Sequence, residues 1–273
     1  MPELPEIASR AAEMDHALAA KSIANIEILQ PKCLNLPPEE FRAALTGAII
    51  NQVTYHGKWI LVNTSLGWLL LNLGMGGEVL LTSRDRLPQK YRLIIDFSDG
   101  SCLAVNFWWF GYVCYAGIDE LDSIKMVAKL GPNALDLDEN DFFTLVRSRK
   151  NKLRVKSFLL DQSNVAGIGN AYIHDILFLA GIHPLTPLAN LDDDSIKRLF
   201  ASIQTGLRSS LDKGGAFYET NLFGEKGGFT MEDLLVAYKQ DQPCPQCCTP
   251  IDKIQTGSNS SFVCLACQPR PET

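Results

Sequence analysis

The amino-acid sequence predicts an α+β multidomain chain: an N-terminal helix with a β-sandwich, then an α-helical domain, then a small module built on four cysteines. Three observations carry this. Eight short β-rich runs, IANIEI, AIINQVTYH, KWILVN, WLLLNL, EVLLT, YRLIIDF, CLAVNF and YVCY, fill residues 23–115, and strands at such spacing suit a sandwich. Past Leu130-Gly131-Pro132-Asn133 the apolar pattern turns helical. Two Cys-x-x-Cys pairs lie near the C-terminus. Boundaries are expected at 1–125 for the helix and sandwich, 126–235 for the helical domain and 236–273 for the cysteine module.

Taken in order, Ile7, Ala11, Met14 and Leu18 recur at helical spacing after PELPE. They predict a first helix with Pro5 in or before its opening turn, the one place a proline is tolerated. Ser98-Asp99-Gly100, between YRLIIDF and CLAVNF, is a hairpin signal, because Asp-Gly suits the left-handed backbone of a tight turn. DENDFFTLVRSR, KSFLLDQ, AYIHDILFLAGI and DDDSIKRLFASIQTGLRSSL then carry helical periodicity with capping residues in place. A Gly-rich aromatic segment, GGAFYETNLFGEKGGF, precedes the cysteines.

Hydrophobic residues make up 46% of the 273 and charged residues 21%, values for a packed globular chain rather than a disordered one. MPELPEIASR is no basic start followed by an apolar run, and no stretch is long enough for a membrane span, so a cytoplasmic monomer with no membrane partner is expected. Of the eight cysteines, Cys33, Cys102 and Cys114 are scattered singly, which is no disulfide framework. The net charge of −6 counts against a simple nucleic-acid binder. Basic residues nonetheless cluster at Arg147, Arg149, Lys150, Lys152, Arg154 and Lys156, and acids at Asp192, Asp193 and Asp194, which leaves room for a basic face on an acidic chain.

Cys244 and Cys247 are two residues apart, as are Cys264 and Cys267, with sixteen residues between the pairs. Two such knuckles present four thiolates tetrahedrally to one ion, and zinc is the usual occupant of that set. Four closed ligands make the ion structural, so it folds the module and performs no chemistry. Cys248, adjacent to Cys247, is left outside the shell.

Two further segments offer chemistry. Gly167-Ile168-Gly169-Asn170 is expected to open a helix with Asn170 as N-cap, Ile173, Ile176, Leu177 and Ala180 inward, and Gly181 at its end. Such a start binds anions through free N–H groups and the helix dipole, although capped helices are common without a ligand. At the N-terminus, removal of the initiator Met exposes Pro2 as a free secondary amine, which can attack an aldehyde-like carbon and form a Schiff base. An α-amino group near pKa 8 is about 250-fold richer in neutral amine at pH 7 than a lysine near 10.4. Glu3 stands beside it as a proton shuttle. Alone, an ordinary Met-Pro start is the plainer reading.

PELPE at the start, VAGIGNAYIHDILFLAGIHP in the helical domain and CPQC…CLACQ at the end resemble, in order and spacing, the Fpg/Nei (formamidopyrimidine-DNA glycosylase / endonuclease VIII) family of bifunctional DNA glycosylases. LGPNALD is similar to the family's interdomain stretch, and the resemblance covers essentially the whole chain. It implies an N-terminal β-sandwich, a helix–two-turns–helix domain and a C-terminal zinc ribbon, with damaged double-stranded DNA in the cleft between domains. It also implies a base-excision repair protein of a bacterial cytoplasm, associated with the nucleoid. By the same resemblance Pro2 is the nucleophile on the sugar C1′ and Glu3 the acid/base. Lys58, in His56-Gly57-Lys58-Trp59, contacts phosphate near the lesion. Lys156 is a second lysine lining the site, and Asn170 grips the backbone.

Several departures from the family pattern bear on substrate. Asn259 stands five residues before the third cysteine, where an arginine is usual, and offers one neutral hydrogen bond in place of a charged fork worth about 1.5–3 kcal/mol. Trp108-Trp109-Phe110-Gly111 replaces Arg-Arg-Phe-Gly, the turn that with Met75 fills the gap left by a flipped base. Trp109 is expected to stack there and relax opposite-base preference, whereas Trp108 is expected to pack in the sandwich core. In the lesion-capping segment, the aromatics Phe217, Tyr218 and Phe223 beside Glu219 fit either a sandwich around an extruded base or a loop folded shut. The acidic balance is the last departure; it weakens nonspecific DNA affinity and predicts steep loss of binding with salt if the few remaining phosphate contacts dominate.

Three readings follow. The first is a DNA glycosylase with AP-lyase activity on an oxidised or ring-opened base or on abasic DNA. The second is a non-catalytic or weakly catalytic protein that binds damage or abasic sites. The third, an N-terminal-proline enzyme acting on small carbonyl compounds, has no use for the ribbon.

Overall fold

In a computed structural model, which describes residues 1–149, 152–257 and 259–271, the periodic stripe Ile7, Ala11, Met14 and Leu18 forms the buried face of the first helix, α1 (Leu4–Leu18). Pro5 lies in its first turn, where the missing N–H has no intrahelical partner to lose. The eight β-rich runs become eight strands: β1 (Ile23–Ile28), β2 (Ile50–His56), β3 (Trp59–Thr64), β4 (Gly67–Asn72), β5 (Glu78–Ser83), β6 (Leu93–Phe97), β7 (Ser101–Asn106) and β8 (Tyr112–Ala116). They assemble into two four-stranded antiparallel sheets, in the orders β1-β6-β7-β5 and β2-β3-β4-β8. Alternate residues of both sheets, among them Ile26, Ile95, Leu103 and Val105 from one and Val53, Ile60, Val62, Leu69 and Val113 from the other, share a single core with α1. The Asp99-Gly100 hairpin joins β6 to β7, with Gly100 N–H donating to Phe97 O at 3.1 Å.

A second helix, α2 (Pro38–Leu45), lies between β1 and β2 and seals one end of this core with Phe41 and Leu45. The sequence pattern marks no element over this stretch.

By its contacts the chain forms two units, one of Met1–Lys129 with Lys213–Gly228, the other of Leu130–Asp212 with Phe229–Thr273. The division differs from three consecutive domains in one respect above all. The segment 213–228, expected with the helical domain, belongs with the sandwich. Leu222 is fully buried in the sandwich core, its N–H donates to Glu13 Oε2 at 2.8 Å, and its carbonyl accepts from Leu81 N–H at 2.9 Å. Gly228 N–H meets Lys213 O at 2.8 Å, so the segment leaves and returns at one point.

The second unit contains α4 (Glu139–Arg147), α5 (Val155–Leu160), α6 (Ile173–Ala180) and α7 (Asp193–Leu211), while a short α3 (Lys125–Ala128) precedes it. Asp138 and Asp192 cap α4 and α7 by accepting from Asp141 N–H and Ser195 N–H, both at 2.8 Å. The acidic run Asp192–Asp194 is thus a helix start, its charge complementing the dipole. Helix α6 is buried nearly all round, ends at left-handed Gly181, and carries Asp175, whose carboxylate accepts from Leu235, Val236 and Ala237 N–H at 2.8–2.9 Å. Asp175→Asn is expected to turn an amide against one of these donors and to destabilise the second unit by about 2 kcal/mol in urea unfolding. The last element is a hairpin of β9 (Asp252–Thr256) and β10 (Asn259–Val263). No helix among the described residues is long and apolar enough to cross a membrane.

Candidate functional site

The residues singled out by sequence fall into two sets, one on each unit. On the first unit, Pro2 and Glu3 are both buried where the chain enters α1, with Glu3 as N-cap. Glu6 fixes this entry: one oxygen accepts from Glu3 N–H at 2.8 Å and the other from Ala216 N–H at 3.1 Å. The Gly-rich segment is thereby fastened over the start of the chain. It brings in Glu219, whose Oε1 lies 3.7 Å from the terminal amino nitrogen. Burial raises the Glu219 carboxyl above its ordinary pKa; the terminal amino group opposes this, Glu6 adds to it, and Arg10 and Lys226 oppose it. Arg10 is itself buried, donating to Glu13 Oε2 at 3.2 Å and to Val79 O. Sequence reasoning placed Glu219 among the loop residues but not beside the terminus. Its partner is more than two hundred positions away, and no local pattern announces it.

The loop's aromatics do not fold it shut. Phe217, Tyr218 and Phe223 remain exposed, Phe217 and Tyr218 edge to face at 5.2 Å, while Leu222 and Glu219 do the closing.

Lys58 occupies the β2–β3 turn, half-buried. Asn72, at the end of β4, ties that turn to the next loop: its Nδ2 donates to Lys58 O at 3.2 Å and its Oδ1 accepts from Gly74 N–H at 3.1 Å. Met75 then pairs with the tryptophan turn, Met75 N–H to Trp109 O at 2.8 Å and Trp108 N–H to Met75 O at 2.9 Å. Gly74, at φ +53°, permits this approach, since a Cβ there would sit 2.2 Å from Trp109 O. Met75, Trp109 and Phe110 are therefore together and exposed. Phe110 is left-handed at φ +58°, rare for a bulky residue. The expected burial of Trp108 is corrected: both tryptophans are 66% exposed. Trp108 sits in the turn beyond β7, outside the sheet ladder that buries its neighbours, with its ring against Gly76.

On the second unit, two expectations change. Asn170 is exposed and is not the N-cap of α6; the helix begins at Ile173 with Tyr172 in the cap position, and Ile173 N–H reaches Gly169 O at 3.1 Å. The turn's own backbone supplies what an Asn side chain was expected to supply. Lys156 does not reach out to a ligand. It is 4% exposed, and its three donors are taken by Thr256 Oγ1 (3.1 Å), Ser260 O (2.9 Å) and Ser261 Oγ (2.8 Å). It clamps the β9–β10 hairpin, whose exposed Asn259 stands at the start of β10. Beside it His174, pushed down to about 3 by burial and then by Lys156, accepts weakly from Phe262 N–H.

Burial lowers Lys156 to about 8. Between that value and 10.5 the unfolded lysine holds a proton that the folded one has released, so stability rises with pH across this window and is lost as pH falls through about 8. Urea unfolding from pH 7.5 to 10 is expected to show an extra slope of up to about 1.4 kcal/mol per pH unit that Lys156→Met abolishes.

Cys244, Cys247, Cys264 and Cys267 converge as their spacing predicts, with all four Sγ atoms within 4.8 Å of one another. Individual separations of 3.4, 3.6 and 3.9 Å bracket the roughly 3.8 Å edge of a tetrahedron with metal–sulfur bonds of about 2.3 Å. The four residues can hold a metal ion. Backbone bonds set the knuckles, Cys248 N–H to Cys244 O and Gln268 N–H to Cys264 O, and buried Gln268 anchors the second to Ile182 O just past α6. Of the basic cluster, Arg147 pairs with Asp193 at 2.6 Å, and Lys150 lies outside the described residues.

The chain matches two family models, the formamidopyrimidine-DNA glycosylase N-terminal domain over residues 1–107 and the formamidopyrimidine-DNA glycosylase H2TH domain over residues 130–221. It is 33% identical over 272 residues to formamidopyrimidine-DNA glycosylase of Geotalea uraniireducens, covering 98% of this chain and 100% of the relative. To the enzyme of that name from Haemophilus influenzae it is 31% identical over 273 residues, covering 99% and 100%. Among solved structures, the Lactococcus lactis protein bound to DNA containing N7-benzyl-Fapy-dG superposes with a TM-score of 0.90 at 28% identity, over 98% of this chain and 100% of that one. Its complex with DNA containing an abasic site gives 0.89 at the same identity and coverage. With its sandwich, its helical domain and its four-cysteine hairpin in the order of these relatives, the chain belongs to the formamidopyrimidine-DNA glycosylase family.

Proposed function

We propose that this protein is a DNA glycosylase with AP-lyase activity that removes an oxidised or ring-opened base from duplex DNA. The observation that carries the reading is the burial of Pro2 beside Glu3 at the positive end of α1, under a segment fixed by Glu6. With the initiator Met removed, the Pro2 nitrogen attacks C1′ of an extruded nucleotide. The glycosidic bond breaks and the base leaves with the bonding pair and a proton relayed by Glu3; the C1′–O4′ bond then opens, O4′ taking its bonding pair and the proton that the Pro2 nitrogen gives up, and an iminium joins Pro2 to the opened sugar. Loss of the C2′ proton then expels the 3′-phosphate by β-elimination, and water releases the enzyme.

In this reading Lys58 contacts phosphate beside the lesion, while Met75, Trp109 and Phe110 enter the gap left by the base. Asn170 and Asn259 contact backbone from the second unit. Cys244, Cys247, Cys264 and Cys267 hold zinc, which when bound fixes the hairpin carrying Asn259 and takes no part in the chemistry. The protein acts as a monomer at the bacterial nucleoid.

Borohydride added to the protein with a duplex containing one abasic site tests this. A covalent protein–DNA adduct is expected, with mass spectrometry showing a terminus that starts at Pro2. Binding without an adduct at any protein concentration overturns catalysis in favour of a damage-binding protein.

A further inference from the structure

The basic run between Arg147 and Lys156 is not spent uniformly. Arg147 is committed to Asp193, and Lys156 is buried within the hairpin clamp. Lys152 and Arg154 are exposed. They lie two residues apart in a segment running antiparallel to 186–188, with Val155 N–H to Thr186 O at 2.9 Å and Leu188 N–H to Leu153 O at 2.8 Å. Residues two apart on extended chain share a face. Here that face borders an open depression of about 1010 Å3, across which stands Arg270 from the chain beyond the cysteine knuckles. None of the three cations makes an ion pair with any described residue. No Asp or Glu lines the depression, although the chain carries 31 acids against 25 Lys and Arg.

The same depression is lined by His183, which is 2% exposed. Its Nδ1 accepts from Leu185 N–H at 3.2 Å, so the ring proton is on Nε2, and Nε2 has no hydrogen-bond partner among the described residues. Burial, and after it Arg270, keeps this imidazole neutral. A fixed N–H donor with no acceptor among the described residues, beside three cations and no acid, suits an oxyanion. The width and openness of the depression suit a group carried on a polymer better than a small enclosed ion.

We propose that Lys152, Arg154, Arg270 and His183 form a binding site for a backbone phosphodiester of a nucleic-acid strand. The site rests on the DNA-binding reading above and extends it to a contact made by residues outside the proposed catalytic set. It also locates basic charge on an acidic chain, in a run where Arg147 is paired and Lys156 is buried.

Lys152→Gln, Arg270→Gln and the double variant test the site, each substitution being at an exposed position. Affinity for an abasic-site duplex is measured by fluorescence anisotropy from about 50 to 200 mM salt. Each single change is expected to reduce the slope of log affinity against log salt by about 0.9, and the double by about 1.8. A double variant with the wild-type slope overturns the site while leaving the proposed function standing. A wild-type protein that does not bind the duplex at all overturns both. Titration with inorganic phosphate separates the sources: phosphate binding lost in the double variant, with the duplex slope unchanged, assigns the site to a free anion and overturns the strand contact.

Discussion

Extending the N-terminus by one residue, so that Pro2 carries an amide nitrogen, is expected to lower borohydride trapping on abasic DNA at least about 250-fold. The amide has no basic lone pair, so the burden shifts to lysines, which at their ordinary pKa hold about 250-fold less neutral amine at pH 7; Lys156, lowered to about 8, is the exception and is withheld by its position. Position adds to the loss. Pro2 is buried at a point fixed by Glu6, whereas Lys58 is on a hairpin turn and Lys156 has all three of its donors engaged. Trapping at more than a tenth of the wild-type rate by the extended protein would falsify the assignment of the nucleophile to the terminus.

The second large effect concerns the cysteine centre. Chelation, or Cys244→Ser, is expected to unfold residues 244–268, a loss on the order of 10 kcal/mol of metal-linked folding energy. Among the described residues the buried apolar cluster there is Phe178, Val236, Cys244, Ile251 and Cys264, with Leu235, Phe262 and Cys267 partly buried against it, and two of the five are candidate ligands themselves. So small a core does not fold alone. Hydrogen exchange followed by mass spectrometry reads the result directly. Protection should vanish from β9 and β10 on chelation and persist in the sandwich, whose core contains none of these residues. A hairpin that keeps its protection when metal analysis finds no zinc would show that the four thiols hold it unaided.

The fold was most legible where residues answer to neighbours in sequence. Each of the eight strands is a short β-rich run, and the α1 stripe repeats at helical spacing, so local pattern sufficed. Helix α2 escaped because Pro37-Pro38 reads as a break, although a proline in the first turn of a helix loses nothing. In the site, the cysteines were legible because four ligands must sit at knuckle spacing. Lys156 was not, because the acceptors that withdraw it from solvent are 100 to 105 residues ahead. Trp108 misled through the usual burial of its residue type, which a turn outside the sheet overrides. Glu219 and Leu222 show the same limit: one acid and one leucine in a Gly-rich stretch carry no mark that they close on the first helix.

That closure has a consequence for the order in which the chain is made. Glu6 and Glu13 emerge from the ribosome about two hundred residues before Ala216 and Leu222, the partners that complete their hydrogen bonds. At roughly 5–20 residues per second the delay is about 10–40 s. For that interval the nascent terminus has no cover, and a processing enzyme can reach the initiator methionine. Once residues 213–228 arrive, Glu6 and Glu13 gain those partners, so the late return of one short segment fixes the entry to the first helix only after the terminus has been open to maturation.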